Sequence, residues 1–305
     1  MQDLLEKIIQ ENRKYTEKGN LATYIPELTK ANKNDLAICV IDIENNVYKA
    51  GDYEKKFTIQ SVSKPITLAL ALIDNGKENV FAKVGMEPSG DPFNSIMKLE
   101  TVKPSIPYNP MINAGAIVIT SMIKGKDNDE KLERMLNFFR SLSCNPTLNI
   151  NEDVYNSEKR TGDRNRAIAY LLKSEGIIDG DVEEILDLYF KQCSIEVTVE
   201  DLARMGANLA TYGFDMLHRQ RIIPEDIART VKTFMVTCGM YDASGEFAIN
   251  VGIPSKSGVG GGIMSSVPKK MGIGVFGPAL DKKGNSIAGI RVLKDISKQL
   301  SLSIF

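Results

Sequence analysis

The chain has 305 residues, 43% hydrophobic and 25% charged, a balance that suits a folded soluble protein of one large or two modest units. Its 38 basic and 39 acidic residues leave a formal charge of −1, which offers no electrostatic footprint for nucleic acid or a membrane surface. One histidine, His218, and four scattered cysteines without a C-x-x-C pair (Cys39, Cys144, Cys193, Cys238) exclude the usual zinc hydrolases and facial-triad metal sites, and favour free thiols in a reducing cytoplasm.

The first residues, with Asp3 and Glu6 and no basic region, do not read as a signal peptide, and no apolar run approaches the roughly 18 residues of a membrane span. Leu4, Leu5, Ile8 and Ile9 predict a helix over 3–18, stopped at Gly19. The apolar run 36–43, a turn at Glu44, Asn45 and Asn46, and the return 47–50 predict a β-hairpin. From Ser61 onward helical spacing dominates, over 63–75, 112–124, 128–142, 164–174, 181–191, 199–212 and 225–237. The stretches 85–110 and 144–163, dense in Pro, Gly and Asn, read as loops, and residues 87–110 have the composition of a gate over a pocket. Strand signals return at 247–251, 262–267 and 271–276, and a final helix is expected over 286–301. The fold class that follows is α+β. Residues 1–60 and 240–305 together would form an antiparallel sheet covered by the terminal helices, residues 61–239 a helical lobe, and the site would lie between them.

The chemistry concentrates at Gln60-Ser61-Val62-Ser63-Lys64-Pro65, which opens an apolar helix. Pro65 is tolerated only near a helix start, so Ser61 is expected near the N-cap with Lys64 on the same face one turn later. A serine there faces the positive end of the helix dipole, and a lysine drawn into a buried setting is pushed toward the neutral amine that can take its proton. The S-x-x-K spacing recurs at Ser95, Ser121 and Ser266, but only Ser61 opens a buried helix. Lys256-Ser257-Gly258 follows on a late strand, the order seen in penicillin-recognising serine enzymes. The G-x-G-x-x-G match at Gly272 to Gly277 lacks strand–turn–helix context and implies no nucleotide. His218, in a polar stretch between helices, is a poor candidate for a catalytic base.

These segments, with Asn109-Pro-Met-Ile-Asn113-Ala-Gly, Ser157-Glu158-x-x-x-Gly162-Asp-Arg-Asn165, Cys238-Gly-Met-Tyr241-Asp and Lys256-Ser-Gly-Val259, resemble those of the serine-dependent glutaminases, in family order from about Tyr24 to Asn285. The resemblance implies a β-lactamase-like fold, hydrolysis of L-glutamine to glutamate and ammonia through a glutamyl-serine, no cofactor or metal, and a homodimer or homotetramer. It implies Ser61 as nucleophile, Lys64 as its partner, and a pocket lined by Tyr24, Asn113, Glu158, Asn165, Tyr189, Tyr241 and the main chain of Val259. Tyr241, in a turn, is the better tyrosine to protonate departing ammonia. Cys193 and Cys238 read as buried structural thiols. The rivals are a β-lactam-acylated enzyme, a silent amino-acid sensor, and an amidotransferase, which needs a Cys-His pair.

Overall fold

The apolar stripe of the N-terminus forms α1 (Gln2–Asn12), which buries Leu5, Ile8 and Ile9, and the chain then tightens into a 3-10 turn over Arg13–Lys18. This computed structural model describes residues 1–101 and 105–305. The hairpin forms as β1 (Ala37–Asp42) and β2 (Val47–Gly51), turned by Asn45 at φ 69°. Ile38 and Val40 face one apolar cluster while Ala37, Cys39 and Ile41 face another, so β1 is apolar throughout because both its faces are covered.

A short β3 (Phe57–Thr58) leads to α2 (Lys64–Lys83), which runs past the expected stop at 75: Gly76 adopts φ 77° and the chain re-enters the helix. The stretch read as the loop 85–110 contains α3 (Met97–Thr101), and its residues 102–104 lie outside the described residues. Next come α4 (Asn113–Ser121) and α5 (Asn128–Ser143). Residues 144–163, expected to be a loop, contain α6 (Glu152–Thr161), capped by Asn151. Its buried face is Val154, Tyr155, Ser157 and Glu158, half of it polar, so the apolar period that marks a helix is missing. Then follow α7 (Asp163–Ser174), α8 (Val182–Cys193), β4 (Glu196–Val197) paired with β3, and α9 (Val199–Ala210). A two-stranded hairpin of β5 (Phe214–Asp215) and β6 (Gln220–Arg221) precedes α10 (Glu225–Cys238).

The expected strand at 247–251 is instead helical, part of α11 (Ser244–Asn250). Phe247 and Val251 are both buried, four residues apart, whereas Ile249 between them is 87% exposed. An i, i+4 helical pair had the look of strand alternation. The last three strands are β7 (Ser255–Ser257), β8 (Gly262–Val267) and β9 (Met271–Phe276), followed by α12 (Ile287–Leu300).

The sheet runs β2-β1-β9-β8-β7, antiparallel at every pairing, so both ends of the chain build it. One face packs on Leu5, Ile8, Val292, Leu293 and Ile296 of the terminal helices. The other is covered by α9, from the middle of the chain. Gly272 and Gly274, two residues apart on β9, point at α9, where a Cβ would come within 2.0 Å of the Ala207 nitrogen and the Val199 carbonyl oxygen. The G-x-G of this strand is a helix-packing device. No helix among the described residues is long and apolar enough to cross a membrane.

Candidate active site

The stacked rings of Phe57 and Phe276, 4.2 Å between centroids, hold the approach to α2 against β9. Gln60 then takes φ 48°, and Gln60–Ser63 forms a wholly buried 3-10 turn from which α2 begins at Lys64. The N-cap is therefore Ser63, and Ser61 stands in the turn before it. The 3-10 turn and Pro65 together delay the α-helical pattern past the position expected from spacing. The hydroxyl of Ser63 donates to the Gln60 carbonyl (2.7 Å) and accepts from Gln192 (2.9 Å), bracing the turn from behind.

Lys64 is buried to 1% exposure. Its Nζ donates to the Met111 carbonyl at 3.2 Å and to Asn113 Oδ1 at 2.7 Å. Burial lowers its pKa from 10.5 to about 8, against the pull of Cys193 and Glu158. A neutral amine has two N–H donors and one lone pair. With both donors held by these acceptors, the lone pair is what remains to take a proton. Asn113 in turn donates to Asn165 Oδ1 at 3.0 Å. Asn113 opens α4 and Asn165 lies in the first turn of α7, yet neither acts as a cap; their carboxamides form a chain leading to Lys64.

Glu158 of α6 is 6% exposed, and its Oε2 has no hydrogen-bond partner. Burial raises its pKa from 4.5 to about 8, countered by Gln60, Lys64 and Cys193. Tyr189, on α8, is buried, and its hydroxyl is pushed well above its ordinary pKa by burial and by the neighbouring Cys193 and Glu158. Tyr24 is 53% exposed as a residue, but its hydroxyl is turned inward, raised by burial and by the proximity of Tyr241, Glu158 and Cys193.

The remaining wall comes from the late strands. Gly258 and Gly260 flank Val259 in the β7–β8 turn, where a Cβ on Gly260 would come within 2.5 Å of the Thr58 carbonyl oxygen and one on Gly258 within 2.9 Å of that of Ile59. Only glycines let this turn press Val259 onto the strand that delivers Ser61. The hydroxyl of Tyr241 is buried without a hydrogen bond, facing Ser61 and the main chain of Val259. Burial holds it as a neutral phenol, against the opposing pull of those two groups. Tyr241 itself takes φ 55°, its ring packed on Phe93 at 4.8 Å. Lys256 Nζ lies 4.3 Å from the ring centroid and donates to the Gly239 and Ser257 carbonyls at 3.1 and 2.6 Å. Burial, then Lys64, force Lys256 well below its ordinary pKa. A cavity of about 380 Å³ adjoins this wall, lined by Pro88, Phe93, Met111, Cys238 and Tyr241.

The structure thus brings together Ser61, Lys64, Asn113, Asn165, Glu158, Tyr24, Tyr189, Tyr241 and Val259. It adds groups not singled out from sequence for this cluster: Gln60, the Met111 carbonyl and Cys193. Cys193 follows Tyr189 by four residues on α8, a spacing that shares one helix face and was the available signal. Expected to be an inert thiol away from acids and bases, it stands beside Glu158, Lys64 and Tyr189, and burial keeps it protonated. His218, in the turn of the β5–β6 hairpin, contacts Asp215 and the α5 C-cap residue Cys144 and takes no part in this cluster.

A buried serine one turn before a buried lysine, beside an antiparallel sheet packed with helices and with a Lys-Ser-Gly strand alongside, fits an α+β protein of β-lactamase-like fold. A family model for glutaminases matches residues 19–305. The chain is 66% identical over 302 residues to the glutaminase of Clostridioides difficile, covering 99% of this chain and 98% of that protein. A crystal structure of a Bacillus glutaminase superimposes with a TM-score of 0.92 at 41% identity, over 99% of this chain and 98% of the other. A covalent complex of the Bacillus subtilis glutaminase with 5-oxo-L-norleucine, formed by reaction with 6-diazo-5-oxo-L-norleucine, gives 0.89 at 39% identity, over 99% and 98%. The chain belongs to the glutaminase family and is an amidohydrolase.

Proposed function

We propose that this enzyme hydrolyses L-glutamine to L-glutamate and ammonia through a covalent glutamyl-Ser61. The observation that carries the reading is the unpartnered oxygen of Glu158, a buried carboxylate that needs a cation, close to a serine–lysine pair. The substrate ammonium supplies that cation. Asn113 and Asn165 each have an N–H to offer the α-carboxylate, and the side-chain amide is directed toward Ser61.

Lys64 as the neutral amine takes the Ser61 proton while Oγ attacks the amide carbon. The main-chain amides of Ser61 and Val259 receive the developing oxyanion. The proton then passes from Lys64, relayed by the neutral phenol of Tyr241, to the departing nitrogen, and ammonia leaves. Water attacks the ester and gives its proton to Lys64, glutamate is released, and the proton returns to Ser61. Substrate binding favours the first step: once the ammonium pairs with Glu158, that carboxylate no longer holds a proton on Lys64.

In this reading the site lies between a sheet lobe of residues 1–60 and 240–305 and a helical lobe of residues 61–239, in a cytoplasmic homodimer or homotetramer with no nucleic-acid or membrane partner. Ammonia release from glutamine by the wild type and by Ser61→Ala tests the chemistry. A loss of roughly 10⁴-fold or more is expected, and undiminished activity in the variant rules out Ser61 as nucleophile.

A further inference from the structure

Sequence alone left Cys144 and His218 unconnected, 74 positions apart, and a lone histidine argued against a metal centre. The fold brings them together. Cys144 ends α5 in a left-handed C-cap conformation, φ 53° and ψ 28°, which turns its side chain toward the β5–β6 hairpin. There Asp215 ends β5 and His218 lies three residues on, in the turn that leads to β6. The ligand-capable atoms of the three residues all lie within 4.8 Å of one another.

The detailed geometry decides what such a cluster can do. Cys144 Sγ is 3.8 Å from His218 Nδ1, and 3.8 and 3.9 Å from the two oxygens of Asp215, while Nδ1 and Asp215 Oδ2 are 2.6 Å apart. In a cysteine–histidine–aspartate nucleophile the thiol and the carboxylate engage opposite ring nitrogens, so that a proton crosses the ring. Here both approach the same nitrogen. Proton relay through the imidazole is therefore not available, and three ligand atoms of different softness converge on one point.

We propose that Cys144, Asp215 and His218 form a binding site for a borderline divalent metal ion of the zinc class, separate from the glutamine site. Zinc bonds of about 2.3 Å to sulfur and about 2.0 Å to nitrogen and oxygen place tetrahedral neighbours roughly 3.5 Å apart for sulfur pairs and about 3.3 Å for the nitrogen–oxygen pair. Both sulfur separations are within a few tenths of an ångström of that. The nitrogen–oxygen pair is now closed by a hydrogen bond, and it opens by roughly 0.7 Å when a metal replaces the shared proton. Asp215 is buried, and its Oδ1 accepts from the Leu217 amide at 2.9 Å, which fixes the carboxylate from behind as metal sites require. His218 is exposed and Cys144 half-buried, so an ion can enter from solvent, and water can take the fourth position. Arg204 is the cation closest in influence to the thiol. Burial and Asp215 raise the Cys144 thiol to about 11, so a bound ion must displace its proton, which then leaves a thiolate and a carboxylate against one arginine. A bound ion would tie the end of α5 to a hairpin 71 residues further along the chain.

The test uses the full-length protein, freed of metal by chelation, with Co²⁺ as the spectroscopic probe. The expected result is a thiolate-to-cobalt charge-transfer band that saturates near one Co²⁺ per chain and is displaced by Zn²⁺. Cys144→Ala should abolish the band, and His218→Ala should weaken Co²⁺ binding more than about 10-fold. Absence of the band in the wild type, or its persistence in Cys144→Ala, overturns the proposal. Should the variants fold poorly, the rate of Cys144 alkylation in the wild type decides: Zn²⁺ must slow it, and an unchanged rate overturns the site.

Discussion

At the scale of single residues, burial works against charge on both Glu158 and Lys64. Glu158 and Lys64 both titrate near pH 8, one raised and one lowered by burial, so the pair loses its protons in steps that belong to both groups. Catalysis needs the carboxylate and the neutral amine, and both form as pH rises. The kcat/KM of the free enzyme should therefore climb with an apparent pKa near 8; a profile already flat from pH 6 upward contradicts the assignment. Glu158→Gln separates binding from stability. It removes the proposed partner of the substrate ammonium and should lower kcat/KM by roughly 10²-fold or more. Because the folded-state pKa of Glu158 is raised, its contribution to stability is intact below about 4.5 and is lost as pH rises toward 8. Denaturant titrations should find the substrate-free variant more stable than wild type at pH 8.5, with the gap closing by pH 4.5. The burial of Ser61 and Lys64 at the start of α2 was legible from sequence because their helix announces itself. Cys193 and the Met111 carbonyl were not, since a thiol's neighbours and a carbonyl's direction are set only by tertiary packing.

At the scale of elements, what fixes Glu158 is the contact between α6 and α8. Asp187 of α8 bonds Tyr155 and Lys159 of α6 and pairs with Lys191 at 2.8 Å. Burial alone would raise its pKa, but Lys159, Lys191 and Tyr155 outweigh it and bring it down to about 2. A depressed carboxylate stabilises the fold above its ordinary pKa of 3.8 and loses that contribution as pH falls toward 2. Asp187→Asn should destabilise the protein by about 1–2 kcal/mol at pH 7 in chemical denaturation, with the difference from wild type vanishing near pH 2. The helix–sheet seam makes a different demand. Gly274→Ala forces a methyl against the Val199 carbonyl and should cost about 3 kcal/mol, read as a lower denaturation midpoint. Strong apolar periods made most helices and the strands β1, β8 and β9 readable in advance. The two clearest failures have separate causes: half of the buried face of α6 is polar, and α11 is so short that two buried residues mimic a strand.

At the scale of the whole molecule, the chain's two ends supply one sheet and its middle supplies most of the helices, so Ser61, Glu158 and Val259 meet although nearly 200 positions separate the first from the last. The sheet was foreseeable from strand signals at both ends. That α9 would cover its second face was not, because the G-x-G spacing of β9, though it implied no nucleotide, shows its packing role only once the neighbouring helix is known. The central claim is that this architecture exists to make Ser61 a nucleophile toward a glutamine side chain. Treatment with 6-diazo-5-oxo-L-norleucine, followed by peptide mass mapping, tests it most directly. A single covalent adduct on Ser61, suppressed by excess L-glutamine and absent from Ser61→Ala, is the predicted result; an adduct on Cys193 or any other residue, with Ser61 unmodified, would contradict it.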